Sequence, residues 1–103
     1  MLIRDKDKET LQRLFSSVEI PIEVWAYGSR VDGTAHEGSD LDLVIRSKNL
    51  EKIPLDIYLT IKENIQKSNI PFLVDLFDWA RLPVNFHHNI EQKHEVLFSN
   101  IQP

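Results

Sequence analysis

Two aspartates separated by one residue, Asp40-Leu41-Asp42, open an alternating run that continues to Arg46. Period-two alternation is the pattern of a strand and puts Asp40 and Asp42 on one face, Leu41 and Leu43 on the other. The strand rise sets the two α-carbons roughly 6–7 Å apart, so their carboxylates can converge on one cation. Like charges that close repel, and one tends to take up a proton, unless a hard divalent ion with oxygen ligands removes the conflict. The chemistry indicated is a magnesium site. The plainer alternative is a pair that merely faces water on a half-exposed strand. Against it, Asp is depleted in strands, and this pair follows a turn rich in glycine and serine.

That turn begins at Gly28-Ser29, with ten residues between Ser29 and Asp40. The preceding run, Ile22 to Tyr27, is rich in β-branched and aromatic residues and predicts a strand over 22–27. Where such a strand gives way to a loop or helical turn, backbone N–H groups are available to phosphate oxygens. Glycine lets the phosphate approach, and the Ser29 hydroxyl can add a hydrogen bond. A lone Gly-Ser is an ordinary turn, so its meaning comes from the acids that follow.

The remaining elements must bring these residues together. Leu11, Leu14, Phe15 and Val18 fall at helical spacing after the acidic Asp5, Asp7 and Glu9, predicting a helix over about 5–17. Residues 28–39 hold all three glycines and read as a loop with room for one helical turn. A second strand is expected over 40–46. A second helix is expected over about 53–67, with Pro54 early and Ile57, Tyr58, Ile61 and Ile65 at helical spacing. Leu55, Ile57, Tyr58 and Leu59 crowd one region of it, suited to the core and also to an interface, with the core favoured. A third strand is read over 72–78, a turn over 79–82, a short helix over 83–93 and a small terminal strand over 95–98. This order predicts an α/β (α+β) fold in which one small mixed sheet is flanked by helices.

Bulk properties narrow the partners. At 103 residues, one domain is expected. Twelve basic against sixteen acidic residues, with the basic ones scattered, disfavour a nucleic-acid polymer but not a nucleotide that carries its own metal. The absence of cysteine fits a reducing compartment, the cytoplasm by default. The amino terminus does not read as a signal peptide, and no apolar run approaches the ~20 residues that span a bilayer.

Gly28-Ser29, ten residues, then Asp40-x-Asp42 resembles the signature of the DNA polymerase β-like nucleotidyltransferase superfamily. Within it, Tyr27-Gly28-Ser29-Arg30-Val31-Asp32-Gly33-Thr34-Ala35 followed by Ser39-Asp40-Leu41-Asp42-Leu43 is most similar to the minimal nucleotidyltransferases, or MNT type. The similarity extends over nearly the whole chain after residue 20. The resemblance implies a nucleotidyltransferase fold and a mechanism with two magnesium ions, in which Asp40 and Asp42 bind metal and Asp75 joins from the neighbouring strand. It also implies that Gly28 and Ser29 hold the β- and γ-phosphates of a nucleoside triphosphate, ATP in the leading reading. Relatives of this size often pair with a helical HEPN partner. The reading that follows is an antitoxin that transfers AMP to a tyrosine of a HEPN ribonuclease toxin in a hetero-oligomer. Neutralisation of such a partner by contact alone and transfer to an antibiotic are the alternatives.

Several residues leave choices open. Asp78 competes with Asp75 but falls on the opposite strand face, where it suits a turn cap. Asp75 interrupts an apolar run in which an idle carboxylate would be costly. Arg30 could meet phosphate or neutralise Asp32 or Asp40. Asp32 departs from the family pattern, where arginine is commoner, which leaves the loop's contacts in doubt. His36, His87, His88 and His94 make no zinc pattern and read as surface residues, His36 alternatively as a nucleotide contact at the mouth of the site.

Overall fold

The computed structural model describes residues 1–36 and 38–102. Helix α1 spans Asp5–Ser16, strand β1 Ile22–Tyr27, the short helix α2 Ser29–Asp32, and strand β2 Leu41–Ser47. Helix α3 spans Leu55–Lys67, strand β3 Val74–Asp78, a 3-10 turn Trp79–Arg81, helix α4 Val84–Gln92 and strand β4 Glu95–Ser99. Every element expected from the sequence is present, with ends moved by one or two residues. The helical turn that the loop had room for is α2.

The strands form one mixed sheet in the order β3-β2-β1-β4. β1 pairs antiparallel with β2 and with β4, and β2 pairs parallel with β3. A parallel pair needs a crossover, and α3 supplies it. On one face Ile22, Val24, Ala26, Leu41, Leu43 and Ile45, all 0% exposed, pack with Leu11 and Phe15 of α1 and Ile61 and Ile65 of α3.

The other face is only partly covered. There Trp25, Val44, Trp79 and Ile90 form a second, smaller cluster beneath α4. The end of the sheet that carries Tyr27, Asp42 and Asp75 lies on this face, by strand alternation.

Leu55 and Leu59 correct the expectation of a core role, since they are 57% and 52% exposed while Ile61 and Ile65 are buried. Residues two positions from Ile57 lie about 200° around a helix of 3.6 residues per turn, so a stripe centred on 57, 61 and 65 turns 55 and 59 outward. Ile53 also falls outside α3. It is fully buried, and its N–H donates to the Asp78 carboxylate at 2.8 Å. None of the described helices is long and apolar enough to cross a membrane.

Candidate active site

Gly28 joins β1 to α2 with φ +79°, ψ −154°, a conformation that L side chains rarely adopt. A Cβ built there would overlap Asp42 Oδ2 and stand 3.3 Å from Asp42 Cγ. Glycine is therefore required twice, by its torsion and by the carboxylate laid against its backbone. This contact joins the two motifs that the sequence separates by ten residues. Ser29 follows as the first residue of α2, and the N–H groups that open a helical turn have no carbonyl one turn back to bond.

Asp42 pairs in register with Tyr27 across to β1 and with Asp75 across to β3. The three side chains share one face, in a row across the sheet. Burial, and then the charges of Asp75 and Asp40, push the Asp42 carboxyl above the ordinary carboxylate range. Tyr27 is pushed up to about 12 by burial, then by Asp42 and Asp75. Each group thus registers a negative field that no cationic side chain offsets. Among the described residues, no ion pair or hydrogen bond engages the carboxylates of Asp40, Asp42 or Asp75.

Asp40 stands one residue ahead of β2 and is exposed. It shares its field with Asp42, yet it lies in the loop and not in the strand expected to begin there. An all-oxygen donor set of this kind fits a hard divalent ion such as magnesium, which tolerates carboxylates and water as ligands. Among the described residues no three such groups yet stand close enough to hold an ion unmoved. Convergence would need side-chain rotation about Asp40, Asp42 and Asp75.

Arg30, left open between phosphate and an acidic neighbour, donates to main-chain carbonyls. It is 5% exposed, with Nε and Nη2 donating to Ser39 O at 2.9 and 2.6 Å and Nη1 donating to Leu2 O at 2.6 Å. Its guanidinium lies 4.1 Å from the centre of the Phe72 ring. A planar fork is suited to carbonyls as well as to phosphates, and here it pins the residue immediately before Asp40. Asp32 accepts from Thr34 N and Oγ1 at 3.0 and 2.6 Å, and these bonds hold its carboxyl below the usual range. It staples its own loop.

Asp78 is on the opposite face, 3% exposed, and caps the 3-10 turn as expected by accepting from Ala80 N. His36 is exposed, with Nδ1 accepting from Gly38 N. Two of the four histidines correct the expectation of surface residues. The His94 ring stacks on Trp25 at 3.7 Å and the His87 ring on Trp79 at 3.9 Å. Between the indoles lies the Arg46 guanidinium, 3.9 and 4.4 Å from their centroids. The alternation of Trp25, Val44 and Arg46 on the partly covered face was the available signal for this cluster.

Residues 9–102 match the family described as polymerase beta, nucleotidyltransferase. The chain belongs to that family. This nucleotidyltransferase is 34% identical over 97 residues, 92% of its own length and 82% of the relative's, to a Haemophilus influenzae protein named "Probable protein adenylyltransferase MntA". It is therefore a nucleotidyltransferase of the minimal, MntA-like type. A solved structure described as the crystal structure of a toxin-antitoxin with AMP-PNP superposes with a TM-score of 0.73 at 16% identity. That superposition covers 91% of this chain and 74% of the other, and the likeness is one of fold.

Proposed function

We propose that this nucleotidyltransferase transfers AMP from ATP to a tyrosine hydroxyl of a partner protein, a HEPN-type ribonuclease toxin, and so acts as its antitoxin. The observation that carries the reading is the Asp42 carboxylate packed on the Gly28 backbone, which supports taking the Gly-Ser turn and the aspartate pair as parts of one site. The adenylyltransferase name of the Haemophilus relative supports AMP as the group moved, and the AMP-PNP of the toxin-antitoxin structure supports ATP as its donor.

In this reading Gly28 and Ser29 bind the β- and γ-phosphates, and Asp40, Asp42 and Asp75 hold two magnesium ions. Magnesium, when bound, neutralises phosphate charge and polarises the α-phosphate. The acceptor oxygen bonds to the α-phosphorus as the bond to the bridging oxygen breaks, and pyrophosphate departs with the electron pair. The acceptor's proton passes to a carboxylate, Asp75 being the one on the strand at the sheet's edge. Tyr27, held neutral beside Asp42, adds no further negative charge.

The test is magnesium-dependent transfer of label from α-labelled ATP to protein in host lysate that contains the natural partner. Wild type should label one band, and Asp40→Ala/Asp42→Ala should reduce that label at least about a hundredfold while remaining folded. An unlabelled partner that is nevertheless neutralised would overturn AMP transfer in favour of inhibition by contact.

A further inference from the structure

We propose that the open side of β3 is where the acceptor lands, with Leu73 and Phe77 receiving the apolar part of a protein segment whose aromatic hydroxyl is offered to Asp75. The proposal rests on the function proposed above and names the surface that would select its acceptor.

Asp75 and Phe77 share one face of β3, and Leu73, immediately before the strand, continues the alternation. The ladder already includes residue 73, whose carbonyl accepts from Leu41 N at 2.9 Å. Leu76 and Asp78, on the other face, are 3% exposed, whereas Leu73 is 60% and Phe77 40% exposed. An isolated exposed apolar residue needs no explanation. Here two stand on either side of a carboxylate that has no described protein partner, in a single row at the edge of the sheet.

The direction of the reaction selects what this row contacts. Gly28 and Ser29 continue from β1, Asp42 lies on β2, and Asp75 lies on β3, with the strands in that order across the sheet. In an in-line displacement the attacking and leaving oxygens lie on opposite sides of the phosphorus. Pyrophosphate held toward Gly28 and Ser29 therefore requires the acceptor to arrive over β3. On this face of the strands Trp25 is buried and Tyr27 partly buried, which leaves Phe77 as their open ring.

An aromatic acceptor side chain can stack on the Phe77 ring edge-on or offset while its hydroxyl reaches the acid one pleat away. The charge at this end of the sheet adds a second requirement. Asp40, Asp42 and Asp75 disfavour acidic neighbours on the arriving segment, so its flanks are apolar or basic.

The experiment compares wild type, Leu73→Ser, Phe77→Ser, Phe77→Tyr and, as a control elsewhere, Phe86→Ser on α4. Two quantities are read: the initial rate of labelling of the acceptor band over a dilution series of host lysate, and the Kd for magnesium-ATP by equilibrium dialysis. Circular dichroism checks that each variant is folded. Phe77→Ser and Leu73→Ser should lower labelling about tenfold or more at dilute lysate, recover toward wild type as lysate is concentrated, and leave the Kd within about twofold. Phe77→Tyr, which keeps the ring, should label the acceptor faster than Phe77→Ser, and Phe86→Ser should label like wild type.

Unchanged labelling by both serine variants overturns the proposal. So does a parallel loss of magnesium-ATP binding, which would assign the ring to the nucleotide. Failure of wild type to label any band, with its partner present, instead overturns AMP transfer itself.

Discussion

Asp75 and Asp78 lie three residues apart on the same strand, and their surroundings differ in nearly every respect. Asp78 is buried and receives Ile53 N at 2.8 Å, Ala80 N at 3.2 Å and Arg81 Nε at 3.1 Å. Asp75 is half-buried beside Asp42 on the opposite face, and no described side chain or N–H engages it. A carboxylate satisfied by its own protein holds the fold together and is closed to ligands. One left among other acids strains the fold and is open to a cation. The Asp42 region carries an unrelieved electrostatic cost, and the Asp78 region carries stability.

The contrast can be broken from either end. The largest effect is expected from Asp78→Ala, which strands a buried N–H of Ile53 and removes the partner of Arg81. We expect a loss of about 3 kcal/mol, and a drop in melting temperature on the order of 15 °C in thermal denaturation. Transfer per folded molecule should be retained, and an equal loss of activity per folded molecule would erase the distinction between the two regions.

Gly28→Ala lies between the two. A side chain at this φ and ψ costs roughly 1–3 kcal/mol, measurable by urea denaturation. The methyl also displaces the Asp42 carboxylate, so label transfer should fall more than about tenfold.

The smallest effect should have the opposite sign. Asp42 is harder to ionise in the folded chain than in the unfolded one. Its contribution to stability is therefore present at acid pH and is lost as pH rises through its raised folded value. Asp42→Asn should abolish transfer yet, without magnesium, raise the melting temperature at neutral pH by about 1–3 °C. The gain is modest because the group is still partly solvated. It should vanish below about pH 4, where the wild-type carboxyl is itself protonated.

The acids and the elements that bear them were legible in the sequence because both are local patterns. Alternation along 40–46 and helical spacing in 57–65 are written into neighbouring residues, and β1 was read with its observed ends. Distant pairings are not written there. Nothing local says that β4 lies beside β1, or that β3 is an edge, since each depends on residues far apart in the chain. Arg30 was left open for the same reason: the carbonyls of Leu2 and Ser39 that it meets are distant in sequence, and a guanidinium beside a Gly-Ser turn looks identical in sequence whether it faces phosphate or carbonyls. His94 looked like a surface residue because its partner Trp25 is distant in sequence, and His87 because its stack on Trp79 depends on how α4 folds back over the 3-10 turn. Leu55 and Leu59 were assigned inward on composition where the helical angle decided otherwise.

The chain's two tryptophans are partners in a single cluster, Trp25 of β1 and Trp79 of the 3-10 turn, with ring centroids 5.5 Å apart at 75°. Indoles at that separation couple as exciton partners. Intrinsic fluorescence and near-ultraviolet dichroism will therefore report the patch beneath α4, on the same face as the acids. The larger core under α1 and α3 contains no tryptophan, only Tyr58 and phenylalanines, so excitation confined to the indole band leaves it silent. Loosening of α4 would change the optical signal while the main core stayed intact, so the two layers can be followed separately in one unlabelled sample.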